Sequence, residues 1–367
     1  MPRTSLLACA RARLSAQGPP RVAAGCGRAR HRAEYRESVP SLSPAVAEIR
    51  RAVRTALAAL PEQPSTVIVA LSGGADSLAL VAATAFEARA AGIRVRSATV
   101  DHGLQDGSDQ GAAAAAAQAS ALGIEALVER VAVAESGEGP EADARTARYA
   151  ALRRIAQRED APVLLGHTLD DQAETVLLGL SRGSGASSLQ GMALVRTDDD
   201  GTTWIRPLLA VRRGTTRAAC TAEGLDPWDD PHNADPRYLR VRARDRVLPV
   251  LEAELGPGIA EALARTAEQL REDAEAFDEM IHETIEDIVE HAEAGISVSA
   301  AALAANPAAL RNRVIRLVVQ SEFGVSLSRT QTVEVARLVT DWSGQGPLDL
   351  PGCTAARVGG RIVFAAR

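Results

Sequence analysis

The sequence predicts an α/β fold: a doubly wound parallel sheet, then a long linker helix and a smaller α+β C-terminal domain. Three observations carry this. Short apolar runs alternate with helical stretches from Ala45 to about Leu251. A glycine loop joins the first such run to the helix after it, and beyond Pro249 the pattern becomes that of one long amphipathic helix. Strands that alternate with helices pair in parallel, because each helix carries the chain back across the sheet. Ligands of such sheets bind beyond the carboxyl ends of the strands, where strand order reverses.

The elements follow in order. Thr66-Val67-Ile68-Val69-Ala70-Leu71 is a continuous apolar run, as a strand buried on both faces requires. An Ala/Leu-rich helix runs from about Leu78 and stops before Gly92. A second strand over 95–100 ends at Asp101-His102-Gly103. An alanine-rich helix closes at Gly123, and another strand reaches Val133. A helix over about 141–157 leads to the buried strand Val163-Leu164-Leu165, and the next helix starts after Asp170-Asp171. From Ile259 to about Ala294 the chain is acidic and sets Leu263, Leu270, Phe277, Ile281, Ile285 and Ile288 at helical spacing, which gives a helix with one apolar face. Helices over 308–320 and 330–341 and a hairpin turning at Gly359-Gly360 finish the chain. The expected domains are 1–43, an Arg-rich disordered tail; 44–253, the α/β domain; 254–296, the linker helix; and 297–367, an accessory domain.

Composition narrows the classes. Of 367 residues, 46% are hydrophobic and 24% charged, as in a soluble globular chain with room for two domains. Aromatic residues make up only 3%, so Ala, Val, Leu and Ile must build the cores. A net charge of −6 argues against a whole surface that binds nucleic acid, but a local basic groove is compatible with it. No apolar run is long enough to cross a bilayer. Cys9, Cys26, Cys220 and Cys353 are widely spaced, with no Cys-x-x-Cys pair, which argues against structural zinc or a redox dithiol. Scattered thiols suit a reducing compartment, and the expected location is cytoplasmic. Up to about Ser43 the chain is Arg-rich, with no acidic residue before Glu34. That segment has the composition of a targeting peptide but no continuous secretory-type hydrophobic stretch. A disordered tail or an upstream start codon is the reading adopted.

Ser72-Gly73-Gly74-Ala75-Asp76-Ser77 sits between the first strand and its helix. Glycines let backbone approach phosphate, while hydroxyls and helix-start N–H groups supply donors. An ordinary Gly-rich turn is the plainer alternative, but the flanking strand and helix favour a phosphate loop, and Asp76 adds a candidate magnesium ligand. No Gly-Lys-Ser/Thr follows, so this is not the loop that serves chemistry at a γ-phosphate.

The string Ser-Gly-Gly-x-Asp-Ser resembles the loop of N-type ATP pyrophosphatases, the PP-loop enzymes with an adenine nucleotide α-hydrolase-like fold. Further blocks, in order, resemble the tRNA(Ile)-lysidine synthetase family. They are Val100-Asp101-His102-Gly103-Leu104, Glu141-Ala142-Asp143-Ala144-Arg145 with Arg148-Tyr149, Gly166-His167-Thr168-Leu169-Asp170-Asp171-Gln172-Ala173-Glu174-Thr175, Arg182-Gly183-Ser184-Gly185, and Arg206-Pro207-Leu208-Leu209. The last is Asp229-Asp230-Pro231-His232-Asn233, continuing through Arg237-Tyr238-Leu239-Arg240. The ordered set covers most of residues 67–251; the C-terminal part resembles the family's accessory domain loosely.

The resemblance implies an ATP- and Mg2+-dependent carbon–nitrogen ligase. The C2 oxygen of the wobble cytidine of tRNA(Ile) with a CAU anticodon attacks the ATP α-phosphorus, and L-lysine then displaces AMP. It implies that Ser72, Gly73, Gly74, Ala75, Asp76 and Ser77 hold nucleotide, with Asp101 and His102 nearby. Asp76, Arg145, His167, Asp171 and Glu174 are implied as catalytic and Asp76 as the metal ligand. Plainer readings stand beside these. His167 and Asp171 could be a cap contact, Asp101 could cap a turn, and Glu141–Arg145 could be a surface ion pair on a helix face.

Arg237, Arg240, Arg242, Arg244 and Arg246 form the densest basic run of the folded part, usually a solvated face but here the best candidate for tRNA contacts, with Arg237, Arg240 and Arg242 foremost. Trp228 and Tyr238 could stack on splayed bases, or Trp228 could belong to the core. A single base reading discriminates by only about 1–3 kcal/mol, and methionine tRNAs share the CAU anticodon. Residues 297–367 are therefore expected to bind tRNA as well. A homodimer is compatible with this organisation. The rivals are another PP-loop tRNA enzyme, such as a thiolase, an amide-forming synthetase, and a non-catalytic nucleotide- or tRNA-binding module.

Overall fold

The structure, a computed structural model, describes residues 42–367 apart from 104–106, 135, 138, 184, 229–234 and 293–294. The tail up to 41, with Cys9 and Cys26, lies outside the described residues, as do Leu104, Ser184 and the block Asp229-Asp230-Pro231-His232-Asn233.

Strands β1 (Thr66–Ala70), β2 (Arg94–Asp101), β3 (Glu125–Arg130) and β4 (Val163–Leu164) are parallel. A hairpin of β5 (Val195–Thr197) and β6 (Thr203–Ile205) completes the sheet, with β6 parallel to β4 and β5 antiparallel at the edge. The order is β3-β2-β1-β4-β6-β5. The chain thus steps outward from β1 to β3 and returns to β4 on the other side of β1, so the order reverses between β1 and β4.

Alternation along β1 divides the core. Val67 and Val69 face α1 (Pro44–Ala58), α2 (Ala75–Ala91), α3 (Ser108–Ala121) and α7 (Arg213–Glu223), which meet them through Val53, Leu78, Ala115 and Cys220. Ile68 faces the other way, toward Leu152 and Ile155 of α4 (Pro140–Glu159) and toward Trp204. Helix α2 begins three residues earlier than its apolar pattern indicated. Gly74 is its N-cap, so Asp76 and Ser77 stand in its first turn rather than in a free loop.

After β4 come α5 (Leu169–Ser181) and α6 (Ala186–Leu189). Beyond α7, α8 (Leu239–Arg242) runs through a π turn (Ala243–Val247) into α9 (Leu248–Leu255). Helix α10 (Ile259–Ile288) then joins two cores. Its start packs Ala260 and Leu263 against Leu169 and Ala173 of α5, and its end sends Phe277, Ile281 and Ile288 into a second core.

The long helix stops at Ile288, short of the expected 294. Val289–Ala292 is instead β7, paired with β8 (Gly295–Ser299), because ladder bonds of a second sheet outweigh the helical pattern. That antiparallel sheet is ordered β7-β8-β11-β10-β9, with β9 (Leu348–Leu350), β10 (Cys353–Val358) and β11 (Arg361–Ala366). Helices α11 (Ala300–Ala305), α12 (Ala308–Phe323) and α13 (Arg329–Thr340) cover it. The β10–β11 turn falls at Gly359 and Gly360, both with positive φ (55° and 81°), as a two-residue primed hairpin turn demands. Among the described residues no helix is long and apolar enough to cross a membrane.

Candidate active site

A cleft of about 650 Å³ opens at the reversal point, between the carboxyl ends of β1, β2 and β4. Its first wall is the loop after β1. Gly73 takes a left-handed φ of 84°, and a Cβ there would lie 3.3 Å from that of Ala115, so the loop passes α3 closely. Ser77 Oγ donates to the Gly74 carbonyl at 2.9 Å and accepts from the Ser72 amide at 3.2 Å; the Ser72 and Ser77 hydroxyls are 3.2 Å apart. The 17-residue α2 starts here, so the loop brings two hydroxyls to a helix N-terminus, a suitable cradle for phosphate.

Asp76 lines the same wall. Thr216 Oγ1 donates to its carboxylate, and Arg213 Nε lies 3.6 Å away. Burial raises its pKa against the lowering by Thr216 and Arg213, so a further cation beside it would be favoured. Among the described residues no group of three or more His, Cys, Asp and Glu forms a metal cage. One carboxylate beside a phosphate loop fits magnesium nevertheless, since that ion commonly takes one or two carboxylates and completes its shell with phosphate and water.

The opposite wall comes from β4 and α5. Thr168 and Asp171 form a capping box: the Thr168 amide donates to Asp171 Oδ2 at 2.8 Å, and the Asp171 amide to Thr168 Oγ1 at 3.4 Å. Asp171 is thus part of a cap, and it also lines the cleft, with its other oxygen accepting from Arg213 Nη2 at 2.7 Å. Burial works against its charge, but Arg213, the Thr168 amide and His167 hold its pKa below the usual value. His167 is pushed down to about 3, by burial first and then, against the pull of Asp171, by Arg206, Arg145 and Arg148. Its imidazole is therefore neutral, and its Nδ1 is buried without a partner among the described residues. Glu174, one turn beyond Asp171 and 2% exposed, is raised to about 7 by burial and by Asp171, with Arg213 and Arg244 opposing. A carboxyl poised near neutrality suits proton transfer.

Asp101, at the end of β2, lines the cleft and also caps the turn after it, accepting from Ser108 Oγ at 2.7 Å and the Gly103 amide at 3.0 Å. His102 lines the cleft as well. Arg145 reaches it from α4, with its guanidinium 4.9 Å from the Tyr149 ring centroid. The ion pair expected with Glu141 involves a side chain outside the described set. Arg237, Tyr238, Arg240 and Arg244 face the cleft, whereas Arg242 turns away and donates to the Pro236 and Arg237 carbonyls at 2.8 and 2.9 Å. Arg242 therefore braces the segment from behind. Trp228 is 37% exposed, so it is not a core residue. Its amide donates to the Gly73 carbonyl at 3.0 Å, and its ring lies over Gly111, where a Cβ would sit 3.1 Å away.

Sequence reasoning missed Arg213 and Thr216. Both follow the Arg206-Pro207-Leu208-Leu209 block closely, but nothing local marks them, and their partners lie from 39 to 140 residues away.

This cleft and loop, with a match of residues 46–251 to the PP-loop domain, define an ATP-using enzyme of the PP-loop class. Residues 299–363 match the TilS substrate binding domain. A tRNA(Ile)-lysidine synthase of Leifsonia xyli subsp. xyli is 58% identical over 301 residues, 81% of this chain and 89% of its own. One from Rhodococcus erythropolis is 50% identical over 329 residues, 88% and 96% of the two chains. The chain belongs to the tRNA(Ile)-lysidine synthase family. The U34-tRNA thiolase NcsA from Methanococcus maripaludis shares the fold, with a TM-score of 0.53 at 22% identity over 62% of this chain and 79% of that one.

Proposed function

We propose that the chain converts the wobble cytidine of tRNA(Ile) with a CAU anticodon to lysidine, using ATP and L-lysine and releasing AMP and pyrophosphate. The observation that carries this is one cleft lined by Ser72, Asp76 and Ser77 of the loop after β1, by Glu174 on the other wall and by Arg237 and Arg240.

In this reading Ser72, Gly73, Gly74, Ala75, Ser77 and the first turn of α2 hold the β- and γ-phosphates, and Asp101 and His102 border the nucleotide. Asp76 would hold Mg2+, which when bound supplies positive charge to the phosphates. The cytidine C2 oxygen bonds to the α-phosphorus as the bond to the β-phosphate oxygen breaks. Lysine's amine then attacks C2, and the C2–O bond breaks to release AMP. Adenylation is needed because a ring carbonyl oxygen is a poor leaving group. Glu174 takes the amine's proton, Asp171 and neutral His167 border the reacting centre, and Arg145 offsets the developing negative charge. Arg237 and Arg240 meet tRNA phosphate or base, with Arg242 supporting them, and residues 297–367 grip tRNA elsewhere. The cytoplasm is the proposed location and a homodimer the proposed assembly.

Among the described residues the thiols disfavour a thiolase chemistry. Cys220 and Cys353 are both buried, in different cores, and burial pushes Cys220 up to about 11. The test offers purified protein ATP, labelled lysine and tRNA with a CAU anticodon. Lysine incorporation with tRNA-dependent pyrophosphate release supports the ligase; sulfur transfer without lysine, or binding without turnover, refutes it.

A further inference from the structure

Arg213 is the first residue of α7, and that helix start is pinned on two sides. The Arg213 amide donates to Asp170 Oδ2 at 2.7 Å, at the start of α5. Thr216, three residues on, donates its hydroxyl to Asp76 in the first turn of α2. From this fixed base the guanidinium reaches three carboxylates. Nη2 is 2.7 Å from Asp171 Oδ1, both Nη atoms are 3.3 Å from Glu174 Oε1, and Nε is 3.6 Å from Asp76 Oδ2. Asp76 belongs to the phosphate-loop wall of the cleft, and Asp171 and Glu174 to the opposite wall. Three carboxylates drawn together in a partly buried space repel one another. A planar, permanently charged fork can face all three at once, which a point charge on a flexible stem does less well.

We propose that Arg213 is a positioning residue for adenylation: it sets Asp76 and Glu174 at a fixed separation, and with them the phosphate-loop wall relative to the base-facing wall. This deepens the proposed function and rests on it. Arg213 does not line the cleft, so its loss misplaces reacting groups and leaves substrate contacts in place. A misplacement of about 1 Å costs on the order of a hundredfold in rate.

The experiment compares wild type, Arg213→Gln and Arg213→Lys by tRNA-dependent AMP formation over a range of ATP concentrations, by tRNA affinity and by thermal melting. Wild type that forms no AMP overturns the proposed function and this inference together; wild type that forms AMP isolates the question of Arg213. Arg213→Gln is expected to lower kcat about a hundredfold while KM for ATP and Kd for tRNA stay within about threefold. Arg213→Lys, which keeps the charge and loses the fork, is expected to recover about tenfold of that loss. A folded Gln variant with wild-type kcat overturns the inference, as does a loss confined to KM for ATP. Should the Gln variant not fold, the Lys variant decides: a kcat about tenfold below wild type at unchanged KM supports the inference, and a wild-type kcat overturns it.

Discussion

A Cβ on Gly166 would lie 3.1 Å from the carbonyl carbon of Asp76 and 3.2 Å from the Ser77 amide nitrogen. The end of β4 therefore runs against the backbone of the first turn of α2, and the two walls of the cleft touch where a side chain beyond glycine requires that backbone to give by a few tenths of an ångström. Gly166→Ala is expected to cost roughly 1–3 kcal/mol of stability, as overpacking against backbone does, and to raise KM for ATP by moving the phosphate loop. Denaturant unfolding and ATP titration check both effects; an alanine variant with unchanged stability would show that the contact is relieved without cost.

Asp76→Asn keeps an acceptor for the Thr216 hydroxyl and removes the charge that faces Arg213. We expect adenylation to be abolished with tRNA binding intact, read as pyrophosphate release beside a binding isotherm. Unchanged turnover would remove Asp76 from the mechanism.

The carboxyl of Glu174 gives a pH signature. Its folded-state pKa is raised from 4.5 to about 7. Protonation thus favours the folded state, a contribution complete below about 4.5 and lost as the pH rises to about 7. A rise of this size corresponds to roughly 3 kcal/mol. Relative to Glu174→Gln, wild type is expected to lose about that much between pH 4.5 and 7, with a flat difference above. Paired unfolding curves at four pH values would show it, and a constant difference would contradict it.

His167 has the opposite sign. Its folded-state pKa is lowered from 6.5 to about 3, so folding favours the neutral ring. That contribution is complete above 6.5 and declines as the pH falls below it. Nuclear magnetic resonance titration is expected to show no protonation of this ring between pH 5 and 8; a transition near 6.5 would contradict the burial argument.

How much of this was legible in the sequence depends on the range of the forces involved. The run Val67-Ile68-Val69, the glycine turn Ser72–Gly74 and the helix near Asp170-Asp171 are local patterns; the strand stands where its pattern puts it, while α2 and α5 start a few residues earlier than theirs indicate, at Ala75 and Leu169. The β5–β6 hairpin leaves no signal in the sequence, because strands of three residues show no periodicity; its Trp204 indole donates to Asp198 at 2.9 Å, a contact set by packing. Arg213 was illegible for a related reason. Its role comes from three carboxylates on two other helices, an arrangement made by packing rather than spacing. Arg242 stands apart from Arg237 and Arg240 for the same reason, since charge density in a run does not tell which side chains turn back to bond their own backbone.

The central claim is that the loop after β1 holds the β- and γ-phosphates as a leaving group and exposes the α-phosphorus to the base. Its most direct measurement follows ATP labelled separately at the α and γ positions, with tRNA and lysine present. The account predicts α label in AMP and γ label in pyrophosphate, both dependent on tRNA. Label recovered as ADP and inorganic phosphate, with AMP never formed, would contradict it.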